Sequence, residues 1–428
     1  MNDLKRDDLA HIWHPCSQMK DYVEHNVPMI PIERGEGAYL FDYEGRRYLD
    51  AISSWWVNLF GHTNGYIAEA IGRQSSKLEH VIFAGFTHEQ AVRLASRITS
   101  VAPRGLNRVF FADNGSSAVE VAIKMAFHAK LNQGLKRPLI VSLQNSYHGE
   151  TLGALAAGDV DLYKQTYMPL LFRTIQAKSP ALCDEDEALD DMRRVLSHNR
   201  DQVCAVIVEP LVQCAGNMAM FNPSYLGALR RLCDEFDVYL IADEIAVGFG
   251  RTGTLFACEQ AGISPDLMTL SKGLTGGFLP LALTLASDEI YDAFYDDYEK
   301  GKSFLHSHSY TANPIACAAA NASLDLLSDG VALRENQAKS ALIGDRLSAI
   351  ADLKRVKNTR WRGMIAAFEV EGFKPNERIG VTIAKEALKR GVLLRPLGNT
   401  VYFMPPYIIT NEEIDNLFAI TAEIVKAL

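Results

Sequence analysis

The residues with the clearest chemical potential lie in the stretch LMTLSKGLTGG, Leu267 to Gly277. An apolar run ends on one lysine, Lys272, and a turn with glycines at 273, 276 and 277 follows at once. The carboxyl end of a buried strand is where open α/β sheets bind their ligands. A lysine desolvated there can lose its proton and condense with an aldehyde to form a Schiff base. Glycines beside it let other groups come close. An isolated lysine at a strand end ordinarily reaches water with its ammonium group, so the reading depends on what accompanies it.

Pyridoxal phosphate is an aldehyde built for such a lysine, and it makes three further demands. Its ring nitrogen must stay protonated to draw electrons, which calls for a buried carboxylate. In VYLIADEI, Asp243 ends an apolar run, a position that requires a cationic partner. The phosphate needs backbone N–H groups at a helix N-terminus. The stretch FFADNGSSAVEVAIKMA supplies a strand, an Asn114-Gly115 turn, and Ser116 and Ser117 opening a helix. Ser117 and Glu120 have the spacing of a capping box. The ring needs an aromatic face, and NSYHGET offers Tyr147 just after another strand. Singly, Ser117 caps a helix, Tyr147 fills a core and Asp243 begins a turn. Together, in this order and each at a strand end, they point to one site.

A competing motif is GFGRTG, in which Gly248, Gly250 and Gly253 match the dinucleotide fingerprint letter for letter. That fingerprint works only between a strand and a helix. Here Asp243 and Glu244 intervene, and TLFACEQAGISPD promises at best a short helix. A nicotinamide oxidoreductase is therefore the weaker reading.

The elements that must position these groups are six nearly continuous apolar runs, at 108–113, 138–143, 203–210, 238–244, 266–272 and 279–287. Such runs suit strands buried on both faces. Helix candidates such as SAVEVAIKMAFHAKL and SYLGALRRLCDEF separate most of them, which implies a mostly parallel sheet flanked by helices. The acidic run DEDEALDD reads as a solvated helix start or loop. At 37–51 a hairpin turns around Glu44-Gly45. MIAAFEV and TVYFMPP flank a helical segment near the C-terminus, and Thr410 with Glu413 opens the last helix as a capping box. Ile414, Leu417, Phe418, Ile424, Val425 and Leu428 share one face of it. We expect a large α/β domain over residues 60–325 and a smaller α+β domain from residues 1–59 and 326–428.

Bulk properties narrow the partners. The chain has 428 residues, 48% of them hydrophobic, enough for a sizeable core. A net charge of −9 argues against nucleic acid or anionic membranes as main partners. No apolar run can span a bilayer, and the N-terminal stretch MNDLKRDDLAHIWHP lacks the apolar core of a leader. Seven cysteines form no CxxC pair and no zinc spacing. A reduced, cytoplasmic protein acting on small molecules, without a metal, is the expectation.

The succession NGSSAVEVAIKMA, YHGET, EP, IADEIAVGFGRTG, LSKGLTGG and SYTANPIACAAA resembles the class III aminotransferases of PLP fold type I over essentially the whole chain. The resemblance implies that Lys272 carries the cofactor and shuttles protons. It implies that Asp243 pairs with the pyridine nitrogen, Tyr147 lies against the ring, and Gly115 and Ser116 hold the phosphate. Ser309 aligns with the usual threonine that reaches the phosphate from the neighbouring subunit, which implies a homodimer with shared sites.

HIWHPCSQM (11–19), SSWW (53–56), RPLGN (395–399) and MPPYII (404–409) resemble one branch of that family. This branch is the diaminopelargonic acid aminotransferases of biotin synthesis. These turn 8-amino-7-oxononanoate into 7,8-diaminononanoate, usually with S-adenosylmethionine as amino donor. For this chain the resemblance implies that Trp55 walls the apolar substrate chain and Arg395 binds the remote carboxylate as a bidentate pair. It sets Arg251 near the cofactor's carboxylate partner, with Cys16, Tyr402 and Ser307 completing the substrate contacts. Trp56 suits a core position equally well. Cys16 stands where many relatives have a tyrosine, so lysine stays open as the donor beside S-adenosylmethionine. A different ω-amino acid or diamine aminotransferase is the nearest alternative. A protein that binds the cofactor without turnover is disfavoured by the intact lysine, aspartate and tyrosine.

Overall fold

Continuous β-branched runs flanked by amphipathic helices build a sheet covered on both faces. The computed structural model describes residues 2–428. Its seven-stranded sheet comprises β1 (Arg108–Ala112), β2 (Leu139–Leu143), β3 (Ile175–Ala177), β4 (Val203–Val208), β5 (Tyr239–Asp243), β6 (Leu267–Leu270) and β7 (Ala282–Ala286). The spatial order is β1-β7-β6-β5-β4-β2-β3. Strand β5 runs parallel to β4 and β6, and β2 runs parallel to β3 and β4. Only β7 is reversed, antiparallel to both β6 and β1. Every residue of β2, β4, β5, β6 and β7 is buried. The mostly parallel α/β sheet expected from the six runs is thus present, with the three-residue β3 added at one edge.

Helices between the strands begin and end where local chemistry dictates. Gly115–Asn132 follows β1, and its buried face includes Val119, Ala122, Ile123 and Ala126. Glu185–His198 starts in the acidic run, where Asp184 accepts a hydrogen bond from the Asp186 N–H at 3.0 Å. Three acids in its first turn suit the positive end of the helix dipole. Pro223 opens Pro223–Phe236 at a position that loses no helical hydrogen bond.

By contact the chain divides into two units, Tyr66–Asn336 around the large sheet, and the segment ending at Gly65 with Gln337–Leu428. In the second unit the hairpin Tyr39–Asp42 and Arg47–Asp50 turns through Gly45, whose φ is +77°. Ile32–Glu36 and Val392–Leu393 extend it into a four-stranded sheet. Val356–Arg362, Ile365–Val370 and Thr400–Phe403 form a separate three-stranded sheet. The final helix, Asn411–Lys426, buries Ile414, Leu417, Phe418, Ile424 and Val425. Its capping box is complete. Thr410 Oγ1 accepts from the Glu413 N–H at 3.2 Å, and Glu413 accepts from the Thr410 N–H at 2.8 Å. Among the described residues no helix is long and apolar enough to cross a membrane.

Removing the Thr410 hydroxyl leaves the Glu413 N–H without its acceptor. We expect Thr410→Ala to cost about 1 kcal/mol, read as a lower urea midpoint, with Thr410→Ser close to the parent.

Candidate active site

The parallel strands deliver their polar residues to one edge of the large sheet. Asp243 ends β5, Glu209 follows β4, and Lys272 comes two residues after β6. The loop holding Tyr147 and His148 follows β2, and Gly115 opens the helix after β1. This carboxyl edge is where open α/β sheets place ligands.

Asp243 is 4% exposed. Its Oδ2 accepts from His148 Nδ1 at 2.8 Å, and its Oδ1 accepts from Thr269 Oγ1 at 3.1 Å and the Ile245 N–H at 3.2 Å. Parallel pairing puts Asp243 in register with Thr269, so sheet geometry itself supplies one of these bonds. His148 is also buried, and its Nε2 has no partner among the described residues. A carboxylate offers about four acceptor positions, and three are occupied. One remains for a further cationic donor.

Lys272 is half-buried at the start of a short 3-10 turn. Burial lowers its pKa from the ordinary lysine value, while Asp243, the Cys214 thiol and Glu209 pull it back up. Glu209, 5% exposed, accepts from the Tyr147 N–H at 2.9 Å and the Cys214 N–H at 3.0 Å. Burial pushes its carboxyl up to about 7, against the pull of His148 and the Tyr147 N–H. The same cause raises the Cys214 thiol.

The start of Gly115–Asn132 differs in detail from the expected capping box. The N-cap is Asn114, whose side chain accepts from the Ser117 N–H at 3.0 Å. Glu120 is not part of a box with Ser117. It accepts instead from Gly153 N at 2.7 Å and Ala154 N at 3.3 Å, the first turn of Leu152–Ala157. An acidic side chain is drawn to the exposed amides of a helix start wherever it can reach them, and here that start is another helix's. Ser116 Oγ accepts from the Glu150 N–H at 3.1 Å. Gly149, at φ +127°, presses against this serine, and a Cβ there would lie 2.0 Å from Ser116 Oγ. The YHGET loop and the helix start therefore close on each other only because residue 149 is glycine. Tyr147 donates from its hydroxyl to Glu150 at 3.0 Å and meets Tyr163 edge to face at 5.3 Å.

Arg251 is 1% exposed and lies within the glycine-rich turn after β5. Its charge bears on Cys214. The turn leads only to the five-residue 3-10 segment Ala257–Ala261, so GFGRTG lacks the helix that a dinucleotide site needs. Glu244, fully buried, ties this turn down by accepting from Ala257 N at 2.9 Å and Cys258 N at 2.8 Å. Ser307 and Ser309 are exposed in the irregular stretch before Pro314. Among the described residues no cluster of metal-ligating side chains occurs.

The remaining candidates belong to the smaller unit, where three of them meet. Residues 53–56 form a left-handed turn with φ of +50°, +45°, +75° and +74°. None is glycine, and each left-handed residue costs about 1–2 kcal/mol. Such strain persists only where surroundings over-determine it, typically at functional sites. The turn buries Ser53 and Trp56 and leaves Trp55 38% exposed. Trp56 Nε1 donates to the buried Tyr402 hydroxyl at 3.1 Å. The Arg395 guanidinium carbon lies 4.5 Å from the centre of the Trp55 ring, and Arg395 Nη2 donates to the Cys16 carbonyl at 3.2 Å. Trp55, Arg395 and Cys16 are thus in one place, and Trp56 proves to be the core tryptophan.

The residues around Asp243 suit pyridoxal phosphate: an open acceptor position on a buried carboxylate, a lysine softened by burial, and a helix start held against a glycine. The family described as Aminotransferase class-III matches residues 22–425, and the chain belongs to this family of aminotransferases. It is 47% identical to the adenosylmethionine-8-amino-7-oxononanoate aminotransferase of Helicobacter pylori, covering 98% of this chain and 97% of that one. The enzyme of the same name from Geobacter sulfurreducens is 44% identical over 97% of this chain and 95% of its own. The crystal structure of the Methanocaldococcus jannaschii enzyme of that name superposes with a TM-score of 0.96. The two are 36% identical, covering 100% of this chain and 99% of the other.

Because the folded value of Glu209, about 7, stands above the ordinary 4.5, the fold favours its neutral form. Its contribution to stability is complete below the ordinary value and is lost as pH rises through about 7. We expect the cofactor-free protein to melt at a lower temperature at pH 8 than at pH 6, and Glu209→Gln to flatten that slope.

Proposed function

We propose that this chain transaminates 8-amino-7-oxononanoate to 7,8-diaminononanoate, with pyridoxal phosphate as cofactor and S-adenosyl-L-methionine as amino donor. The observation that carries the chemistry is Asp243, buried and locked by His148 and Thr269 on the strand beside the one that presents Lys272. The substrate assignment is supported by the relatives' names at 47% and 44% identity over nearly the full chain.

When bound, pyridoxal phosphate supplies a carbonyl that condenses with amines and a cationic ring that accepts electrons. The protein's part is to hold charge and move protons. Asp243 keeps its free acceptor position for a ring N–H, and the buried surroundings strengthen that bond. Lys272 Nζ, favoured in its neutral form by burial, takes the proton from the donor's α-carbon and later returns one to C7 of the acceptor. The N–H groups of Gly115 and Ser116 lie in a helix's first turn, whose amides have no carbonyl one turn earlier, and they receive the phosphate. Tyr147 provides the aromatic face, and Arg251 serves substrate or site structure near the acid. Trp55 walls the apolar part of the acceptor and Arg395 binds its carboxylate, with Cys16 holding Arg395; Tyr402 and Ser307 serve as further substrate contacts.

The working unit is a homodimer in which Ser309 reaches the phosphate in the neighbouring subunit. Supporting this, the segment before Ser309 and the residue after it expose Tyr298 at 88%, Leu305 at 89% and Tyr310 at 65%, apolar surface that a second copy would cover. All seven cysteines are free thiols, which suits the cytoplasm.

Lys272→Ala is expected to abolish turnover and the yellow colour of the purified enzyme; a variant that transaminates at the parent rate contradicts the assignment. Offered separately, S-adenosylmethionine is expected to bleach the enzyme and lysine to leave it yellow. The reverse result transfers the donor role to lysine. Recovery of colour on adding 8-amino-7-oxononanoate to the bleached enzyme tests the acceptor.

A further inference from the structure

The left-handed turn that carries Trp55 is held from below by one acid. Asp50, fully buried at the end of Arg47–Asp50, spends both oxygens on it. Oδ1 accepts from the Ser54 N–H at 2.9 Å and the Ile52 N–H at 3.3 Å. Oδ2 accepts from the Ser54 hydroxyl at 2.7 Å and from His62 Nε2 at 3.0 Å. His62 in turn meets the Asn58 amide at 3.1 Å through Nδ1. That orients the ring with its proton on the nitrogen facing Asp50. The imidazole is seated against Gly35, where a Cβ would lie 2.6 Å from that of His62. On its other side the turn is fixed by Ser53, whose hydroxyl donates to the Met404 carbonyl at 2.7 Å.

Sheet register extends the same support to Arg395. Val392–Leu393 pairs in parallel with the Asp50 strand, with Leu393 opposite Asp50. The arginine two residues beyond Leu393 and the tryptophan five residues beyond Asp50 therefore leave neighbouring strands side by side, and they meet as a cation–π pair. The Cys16 carbonyl holds the guanidinium from a third direction.

We propose that Asp50, with His62 behind it, is a positioning residue for recognition of the acceptor. It touches no substrate, but it sets the angle of the Trp55–Arg395 pair and so the fit of the remote carboxylate. The inference rests on the reading of Trp55 and Arg395 as the acceptor's binding residues. It implies selectivity between the two half-reactions. The donor's carboxylate is attached to its reacting carbon, whereas the acceptor's lies at the far end of a methylene chain, so only the acceptor needs a distant, accurately aimed guanidinium. It also explains how position 16 can be a cysteine, since the contribution there is a backbone carbonyl.

The test is single-turnover kinetics of each half-reaction on holoenzyme variants. Asp50→Asn retains the volume but loses an acceptor for Ser54 Oγ and His62 Nε2. We expect its KM for 8-amino-7-oxononanoate to rise about tenfold, the donor half-reaction to stay within about twofold, and the cofactor's absorption spectrum to stay unchanged. His62→Gln, which can still donate to Asp50, should recover most of the acceptor affinity relative to His62→Ala. If Asp50→Asn does not fold, Ser54→Ala, which removes only the hydroxyl bond, is expected to show the same selective rise about threefold. An equal loss in both half-reactions, with altered spectrum or melting temperature, would reduce Asp50 to a general structural role and overturn the inference. Should Trp55→Leu and Arg395→Ala leave the acceptor KM unchanged, the underlying reading fails. Should they raise it while Asp50→Asn and Ser54→Ala do not, the clamp alone is refuted.

Discussion

A negative charge buried at the end of a central strand is the constraint around which the larger unit is organised. An unpaired carboxylate at such depth is strongly unfavourable. Asp243 is tolerated because parallel pairing brings Thr269 into register and the loop after β2 folds His148 back onto it. With the Ile245 N–H as a third donor, the acid keeps one of its acceptor positions open. The lysine delivered by the next strand, lowered in pKa by the same burial, then stands at the edge where a further cationic donor would arrive. Acid and amine are adjacent because β5 and β6 are adjacent, which is a property of strand order.

The smaller unit solves a different problem with a similar device. Again a buried aspartate ends a strand, but here four donors engage both of its oxygens. Here the acid offsets the strain of four left-handed residues and carries no open position. Under the proposed function one buried carboxylate keeps a place for a ligand, while the other stabilises a backbone shape that presents an aromatic ring. Their degree of saturation separates the two uses.

Much of this was legible in the sequence. Long apolar runs alternating with amphipathic stretches define a parallel sheet, and Asp243 and Lys272 stand at the ends of two of its strands. What escaped notice depends on contacts across long sequence distances. His148 lies inside the YHGET block, but nothing local marks it as the partner of an acid 95 residues away. Glu209 belongs to the EP pair, and its role emerges only when two backbone N–H groups converge on it. The Ser117–Glu120 spacing suggested a capping box, yet Asn114 was an equally good cap one turn earlier and took the position. A three-residue strand such as β3 has too little pattern to be seen, and no propensity argument would predict left-handed serine and tryptophan. The need for glycine at 149 is likewise set by a distant contact, because only the folded loop brings that position against Ser116.

The account's central claim is that Lys272 and Asp243 grip the two ends of one cofactor ring system. The most direct measurement is a crystal structure of protein grown with ample vitamin B6. Continuous density from Lys272 Nζ into the cofactor, with the ring nitrogen within hydrogen-bonding distance of Asp243, is the predicted result. Cofactor density elsewhere, or a Lys272 side chain directed away from it, would contradict the account.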